Sequence, residues 1–100
     1  MLQWMPVDVK EQMQKNKSLQ IIDVREPSEF ASGHIPGAKN IPLGQLPQRF
    51  KEIDASKDSA IVCLSGGRSG RACEFLEGVG YSKIHNLMGG MSRWDGAVER

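Results

Sequence analysis

Apolar residues along this chain fall into two patterns: short runs rich in β-branched side chains, and stretches in which apolar positions recur every three or four residues. Leu19-Gln20-Ile21-Ile22-Asp23-Val24 belongs to the first kind and is followed by charge and Pro27, which predicts a buried strand ending near Val24. Ala60-Ile61-Val62-Cys63 is a second such run, and it leads into the glycine-rich Ser65-Gly66-Gly67. Both are nearly continuous in apolar character, as strands covered on both faces of a parallel sheet must be. Residues 81–87 read as a further strand and Lys39-Asn40-Ile41 as a minor one. Between the strands, residues 7–13 carry Val7, Val9 and Met13 in a polar setting and predict a short surface helix capped by Asp8. Glu29-Phe30-Ala31 reads as one helical turn, and residues 43–53 as a helix interrupted by Pro47. Ala72, Phe75, Leu76 and Val79 recur at helical spacing, and Gly78 and Gly80 close that helix. Gly89-Gly90 leads into a last helix with Met91, Trp94 and Val98 on one side, and Trp4 is expected to cover the sheet. Strand and helix alternate through most of the chain, which predicts an α/β fold with a largely parallel sheet.

Length and charge narrow the reading. One hundred residues without an internal repeat or a linker form a single domain, 1–100, and 39% hydrophobic with 25% charged residues is ordinary globular composition. Thirteen Lys and Arg stand against twelve Asp and Glu with no basic stripe, which argues against nucleic acid or an anionic membrane as partner. No apolar stretch approaches the ~20 residues of a membrane span, and residues 1–6 lack a basic region followed by an apolar one. A soluble, cytoplasmic protein is expected. Cys63 and Cys73 are the only cysteines, which is no disulfide framework, so reduced thiols are expected.

Candidate chemistry gathers at Cys63-Leu64-Ser65-Gly66-Gly67-Arg68-Ser69, between a predicted buried strand and a predicted helix. Open α/β sheets bind ligands at this carboxyl edge. Adjacent glycines let successive N–H groups turn inward, and the helix that follows adds unpaired N–H donors and the positive end of its dipole. Such a cradle, with Arg68 close by, favours a Cys63 thiolate over the thiol, whose ordinary pKa is about 8.5. A free nucleophile is the consequence. The alternative is that Cys63 packs as a small buried hydrophobe.

At three places the chain resembles the rhodanese-like family of single-domain sulfurtransferases. These are Ile22-Asp23-Val24-Arg25-Glu26 with Glu29-Phe30 and Gly33-His34-Ile35-Pro36-Gly37-Ala38; the loop from Cys63 to Ser69; and Leu87-Met88-Gly89-Gly90-Met91-Ser92-Arg93-Trp94. The resemblance implies a three-layer sandwich, with a mostly parallel five-stranded sheet flanked by helices on both faces. It also implies a cysteine that accepts sulfane sulfur as a persulfide and passes it on. Cys63 then is the catalytic nucleophile, and Leu64, Ser65, Gly66, Gly67, Arg68 and Ser69 bind substrate, chiefly through main-chain N–H groups, with Arg68 as an electrostatic aid. The donor is a small sulfur-containing anion such as thiosulfate, or a persulfide; the acceptor is a thiol, or cyanide in an assay; a protein can serve in either role. No bound cofactor is required. Members that use thiosulfate well often carry a cation directly after the cysteine, where this chain has Leu64.

Two rivals stand beside this reading. Cysteine-dependent phosphatases and arsenate reductases use five residues between cysteine and arginine, whereas Leu64, Ser65, Gly66 and Gly67 are four, and the tighter ring suits one sulfur atom. A non-catalytic partner-binding or regulatory module of the same family commonly lacks the loop cysteine, which is present here. Asp23 and Arg25 stand at the same sheet edge as supporting residues, either steadying the active loop or joined in a structural network with Glu26 or Glu29. Cys73 is assigned to core packing ahead of a resolving thiol, and His34 to a turn. Cys63, Cys73, His34 and His85 lack zinc-site spacing, so no metal is expected.

Overall fold

The computed structural model of the chain describes residues 2–100. The elements run β1 (Leu2–Trp4), α1 (Pro6–Lys15), β2 (Gln20–Asp23), α2 (Pro27–Ala31), β3 (Lys39–Asn40), α3 (Leu46–Arg49), β4 (Ser59–Val62), α4 (Gly67–Gly78), β5 (Ile84–Leu87) and α5 (Gly90–Arg93). The five strands make one sheet in the order β1-β5-β4-β2-β3, and every ladder is parallel. β2 and β4 are neighbours whose onward connections leave in opposite directions, one toward β3 and the other toward β5. The loops after these two strands therefore diverge and leave a crevice at the carboxyl edge of the sheet.

Side-chain alternation along the central strands feeds two cores. Ile21, Ala60, Val62 and Leu87 pack with Val9 of α1 and with Trp4, Met91 and Trp94 on one face. Ile22, Ile61, Cys63 and Ile84 pack on the other with Ala72, Cys73 and Leu76 of α4 and with Ile41, Leu46 and Ile53. Helices thus cover both faces, as the unbroken apolar runs of β2 and β4 require. Among the described residues no helix is long and apolar enough to cross a membrane.

The structure departs from the sequence-based expectations at five places. Leu2–Trp4 is an edge strand, paired in parallel with β5, and Trp4 stacks on His85 with ring centroids 3.7 Å apart. Three residues are too few to show a period. Asp8 lies three residues inside α1, not at its cap: its carboxylate accepts the Met5 N–H at 2.8 Å. The helix expected over 43–53 is three short pieces, with 3-10 turns at Leu43–Gln45 and Phe50–Glu52 on either side of α3. Pro47 sits in the first turn of α3, where its missing N–H costs nothing, but it cannot continue a helix from the turn before. Val79 lies past the end of α4 and is 44% exposed. α5 stops at Arg93, so Val98 shares no helical face with Met91 and is exposed. Beyond it the chain returns to pair Glu99 with His34 through two backbone hydrogen bonds of 2.9 and 2.8 Å.

Asp23 and Arg25 form the buried charge pair of this edge. The Arg25 guanidinium donates to the Asp23 carboxylate through Nε at 3.0 and 3.1 Å and Nη2 at 2.8 Å, and to the Gly33 carbonyl at 2.7 Å. Asn40 Nδ2 donates to the backbone carbonyls of both residues at 2.9 Å, tying β3 to the turn after β2. Removing one partner strands the other charge in the interior. Asp23→Ala is therefore expected to lower stability in urea unfolding by roughly 3–5 kcal/mol, and the double replacement Asp23→Ala with Arg25→Met to cost less than either single change. A loss near zero for Asp23→Ala would remove the pair from the structural account.

Candidate active site

Cys63 is the first residue after β4 and is completely buried. Burial disfavours a charged sulfur, so a thiolate here depends on what surrounds it. The chain turns sharply at Gly66, whose φ of +106° lies where a side chain is disfavoured, and α4 starts at the next residue. That turn brings the Gly66 N–H to 2.9 Å from Cys63 Sγ and places the Ser69 hydroxyl 3.3 Å from the same atom. Burial pushes the Cys63 thiol up. The Ser69 hydroxyl and the backbone N–H groups of Ser69, Gly66 and Ser65 outweigh it, and the thiol ionises below its ordinary range. A helix N-terminus facing the sulfur acts in the same direction.

The Arg68 side chain is engaged by a carboxylate. Its guanidinium grips Glu29 of α2 through two hydrogen bonds of 2.7 and 2.9 Å, spanning the crevice between the loops after β2 and β4. Arg68 and the Glu26 backbone N–H hold the Glu29 carboxyl at about 2, well below the usual carboxylate range, and Glu29 in turn keeps Arg68 protonated. Arg68 thus contributes a positive charge near Cys63 that is already largely balanced. Leu64 is 47% exposed at the mouth of the site, and Ser65 is exposed beside it. A cavity of about 340 Å³, lined by Met5, Pro6, Met88, Gly89 and Arg93, lies along the same edge, and its Gly89 backbone packs against Gly66.

With this geometry in view, the sequence profile of the rhodanese-like domain covers residues 5–97. The chain belongs to the rhodanese-like domain family. It is similar to "Uncharacterized protein YqhL" of Bacillus subtilis (strain 168), 48% identical over 83 residues that cover 83% of this chain and 66% of that one. It is also similar to a "Sulfurtransferase" of Allochromatium vinosum, 42% identical over 74% of this chain and 69% of that one. Among solved structures, a rhodanese-like domain protein from Staphylococcus aureus superposes with a TM-score of 0.91 at 35% identity, covering 99% of this chain and 97% of the other. The chain spans 66% of the length of YqhL and 49% of another B. subtilis relative, so those proteins extend beyond the shared domain.

The rhodanese-like domain separates its two thiols by environment. Cys73 is also completely buried, but among apolar side chains of α4 and its neighbours. Burial there, with Glu77 adding to it, pushes its thiol up to about 12. Cys73 stays protonated at neutral pH and packs as a hydrophobe. Asp23 and Arg25 bond to one another, not to the loop around Cys63, and His34 is held by the Phe30 carbonyl at 2.8 Å and by a ring stack on Phe30. Among the described residues no group of three or more His, Cys, Asp and Glu could hold a metal ion.

Two features escaped the sequence reading. Asn86 of β5 accepts the Ser69 hydroxyl at Oδ1 and donates to the Gly66 carbonyl at 3.4 Å, so it holds two residues whose other polar groups meet the sulfur. Its only signal in the sequence is a polar residue, beside His85, in a short strand that Ile84 and Leu87 bound. The second feature is the means by which α5 braces the loop; that the Gly89-Gly90 pair packs near the loop is itself expected from the sequence. The Met91 and Ser92 N–H groups donate to the Cys63 and Leu64 carbonyls at 2.8 and 2.9 Å, an approach that Gly90 permits. A Cβ on Gly90 would stand 2.3 Å from the Cys63 carbonyl oxygen and 2.7 Å from Leu64, at a φ of +55°. Gly90→Ala is expected to destabilise the domain by about 1–3 kcal/mol in thermal unfolding, whereas Gly78→Ala, with no atom within 4 Å, is neutral or mildly stabilising. Equal melting of Gly90→Ala and wild type would show that α5 does not clamp the loop.

Proposed function

We propose that this rhodanese-like domain is a sulfurtransferase that carries sulfane sulfur as a persulfide on Cys63. The observation that supports this most is the tight turn itself. Four residues between Cys63 and Arg68 close the backbone onto a single sulfur atom, with the Gly66 N–H 2.9 Å away. Sulfurtransferase relatives of the same family support the same reading.

The Cys63 thiolate is the nucleophile. With thiosulfate it attacks the outer sulfur, a new S–S bond forms to Cys63, the old S–S bond breaks, and sulfite leaves with the electron pair. The terminal sulfur of the persulfide is then an anion, for which the loop N–H groups from Leu64 to Arg68 are the stabilising donors in this proposal. A second nucleophile, a thiol or cyanide, takes that sulfur and returns Cys63 to its thiolate. Two half-reactions through one covalent intermediate give ping-pong kinetics. The positive charge of Arg68 is shared with Glu29 and Leu64 presents an apolar surface, so a thiosulfate dianion gains little on arrival. A persulfide donor of lower charge, small or protein-borne, fits this mouth better, and the neighbouring apolar cavity with Arg93 at its wall has room for the remainder of such a molecule.

Mass spectrometry of protein treated with thiosulfate and then with cyanide tests the proposal. One added sulfur on the peptide that contains Cys63, removed by cyanide, is the expected result. Cys63→Ser is expected to abolish transfer and Cys73→Ser to retain most of it. Folded protein that never gains the sulfur, with thiosulfate or with a persulfide donor, would overturn the reading.

A further inference from the structure

The Ser69 hydroxyl has one proton and three acceptors within reach. These are Cys63 Sγ at 3.3 Å, the Gly66 carbonyl at 3.2 Å and Asn86 Oδ1. All three side chains are buried: Cys63 and Ser69 completely, Asn86 to within 5%. These side chains are shut off from bulk solvent, so the direction of that hydroxyl is decided by these neighbouring atoms. Asn86 is fixed from its other end, where Nδ2 donates to Gln3 Oε1 at 3.2 Å and to the Gly66 carbonyl at 3.4 Å. Those two acceptors orient the carboxamide and leave Oδ1 facing Ser69 as a pure acceptor.

We propose that Asn86 is a positioning residue that governs the ionisation of Cys63 through Ser69, by competing with the sulfur for the Ser69 hydroxyl proton. In the thiol state the Cys63 S–H donates to Ser69 Oγ, and Ser69 O–H donates to Asn86 Oδ1. When the thiol ionises, its proton leaves to solvent and the sulfur becomes an acceptor. Ser69 O–H then rotates to the sulfur, and the buried Asn86 oxygen loses its donor. The cost of that lost bond counts against the thiolate, while the bond gained from Ser69 counts for it. Asn86 and Ser69 thus act on the sulfur with opposite signs. A carboxamide that merely braced the loop would act with the same sign as Ser69.

The other groups around the sulfur leave this proton as the adjustable element. On α4, Arg68 is bound to Glu29 of α2, and Cys73 is a neutral thiol. On the β2 side Asp23 is taken up by Arg25, and on β5 His85 is bound to Asp58 at 3.2 Å. α5 offers the exposed Arg93 and two backbone N–H groups already committed to the Cys63 and Leu64 carbonyls.

The inference rests on the reading of Cys63 as the reactive thiol, but its test reads ionisation and requires no sulfur transfer. Persulfide chemistry can therefore fail while this proposal stands, and the reverse. The ultraviolet absorbance of the Cys63 thiolate is titrated in a Cys73→Ser background for the parent, Asn86→Leu, Asn86→Asp, Ser69→Ala and the double variant Ser69→Ala with Asn86→Leu. Asn86→Leu is expected to raise the ionisation constant of Cys63 roughly tenfold, and Ser69→Ala to lower it by a similar factor. Asn86→Asp, close to isosteric and a stronger acceptor, is expected to lower it. Without the hydroxyl, Asn86→Leu is expected to change nothing. A lower or unchanged constant in Asn86→Leu overturns the proposal, and so does an equal effect with and without Ser69. Should Asn86→Leu fail to fold, an unchanged constant in Asn86→Asp overturns it alone.

Discussion

Everything at this site follows from a contest over one buried sulfur. The apolar core that receives Cys63 opposes its ionisation, and a small set of fixed donors opposes the core. In water a handful of N–H groups at the start of a helix has little effect on a thiol. Inside the protein the same groups are strong, because no solvent screens them and no reorganisation is needed when charge develops. Cys73 is the control supplied by the molecule itself: equally buried, nearly two turns into α4, and pushed up to about 12 by that burial with Glu77 adding to it.

The fold exists, at this edge, to hold those donors still. β2 and β4 send their loops apart, and the gap is closed again by Arg68 reaching Glu29 from one side of the crevice to the other. From behind, α5 presses its first N–H groups onto the Cys63 and Leu64 carbonyls. From the neighbouring strand, Asn86 ties the Gly66 carbonyl and the Ser69 hydroxyl together. Three elements distant in sequence therefore fix a turn of four residues. A loop of this length left to itself would sample many shapes, and only a few of them aim N–H groups at the sulfur.

Much of this was legible in the sequence, and the boundary has physical causes. β2 and β4 announce themselves as nearly unbroken runs rich in β-branched residues, and α4 by apolar residues at helical spacing. The position of the Cys63 loop at a sheet edge follows from those assignments alone. β1 and α5 are too short to carry a period, and α5 ends where the chain turns back toward His34. Pairings across the chain were hidden for a different reason. Arg68 lies 39 residues from Glu29, and nothing local to either shows that they meet. Reading Arg68 as an electrostatic aid to Cys63 was natural from its neighbours, and only the folded chain shows its charge shared with Glu29. Asn86 was invisible in the same way, since a polar residue in a strand names no partner.

The family resemblance and the physics of the turn point to the same atom by independent routes. The measurement that bears most directly on the account compares Cys63 with itself, by titrating its thiolate absorbance in the folded Cys73→Ser protein and again in denaturant. The folded protein should ionise at distinctly lower pH than the unfolded chain, whose thiol titrates at about 8.5. Ionisation at the same pH, or at a higher one, would mean that burial prevails over the donors and that the turn does not serve as an anion cradle.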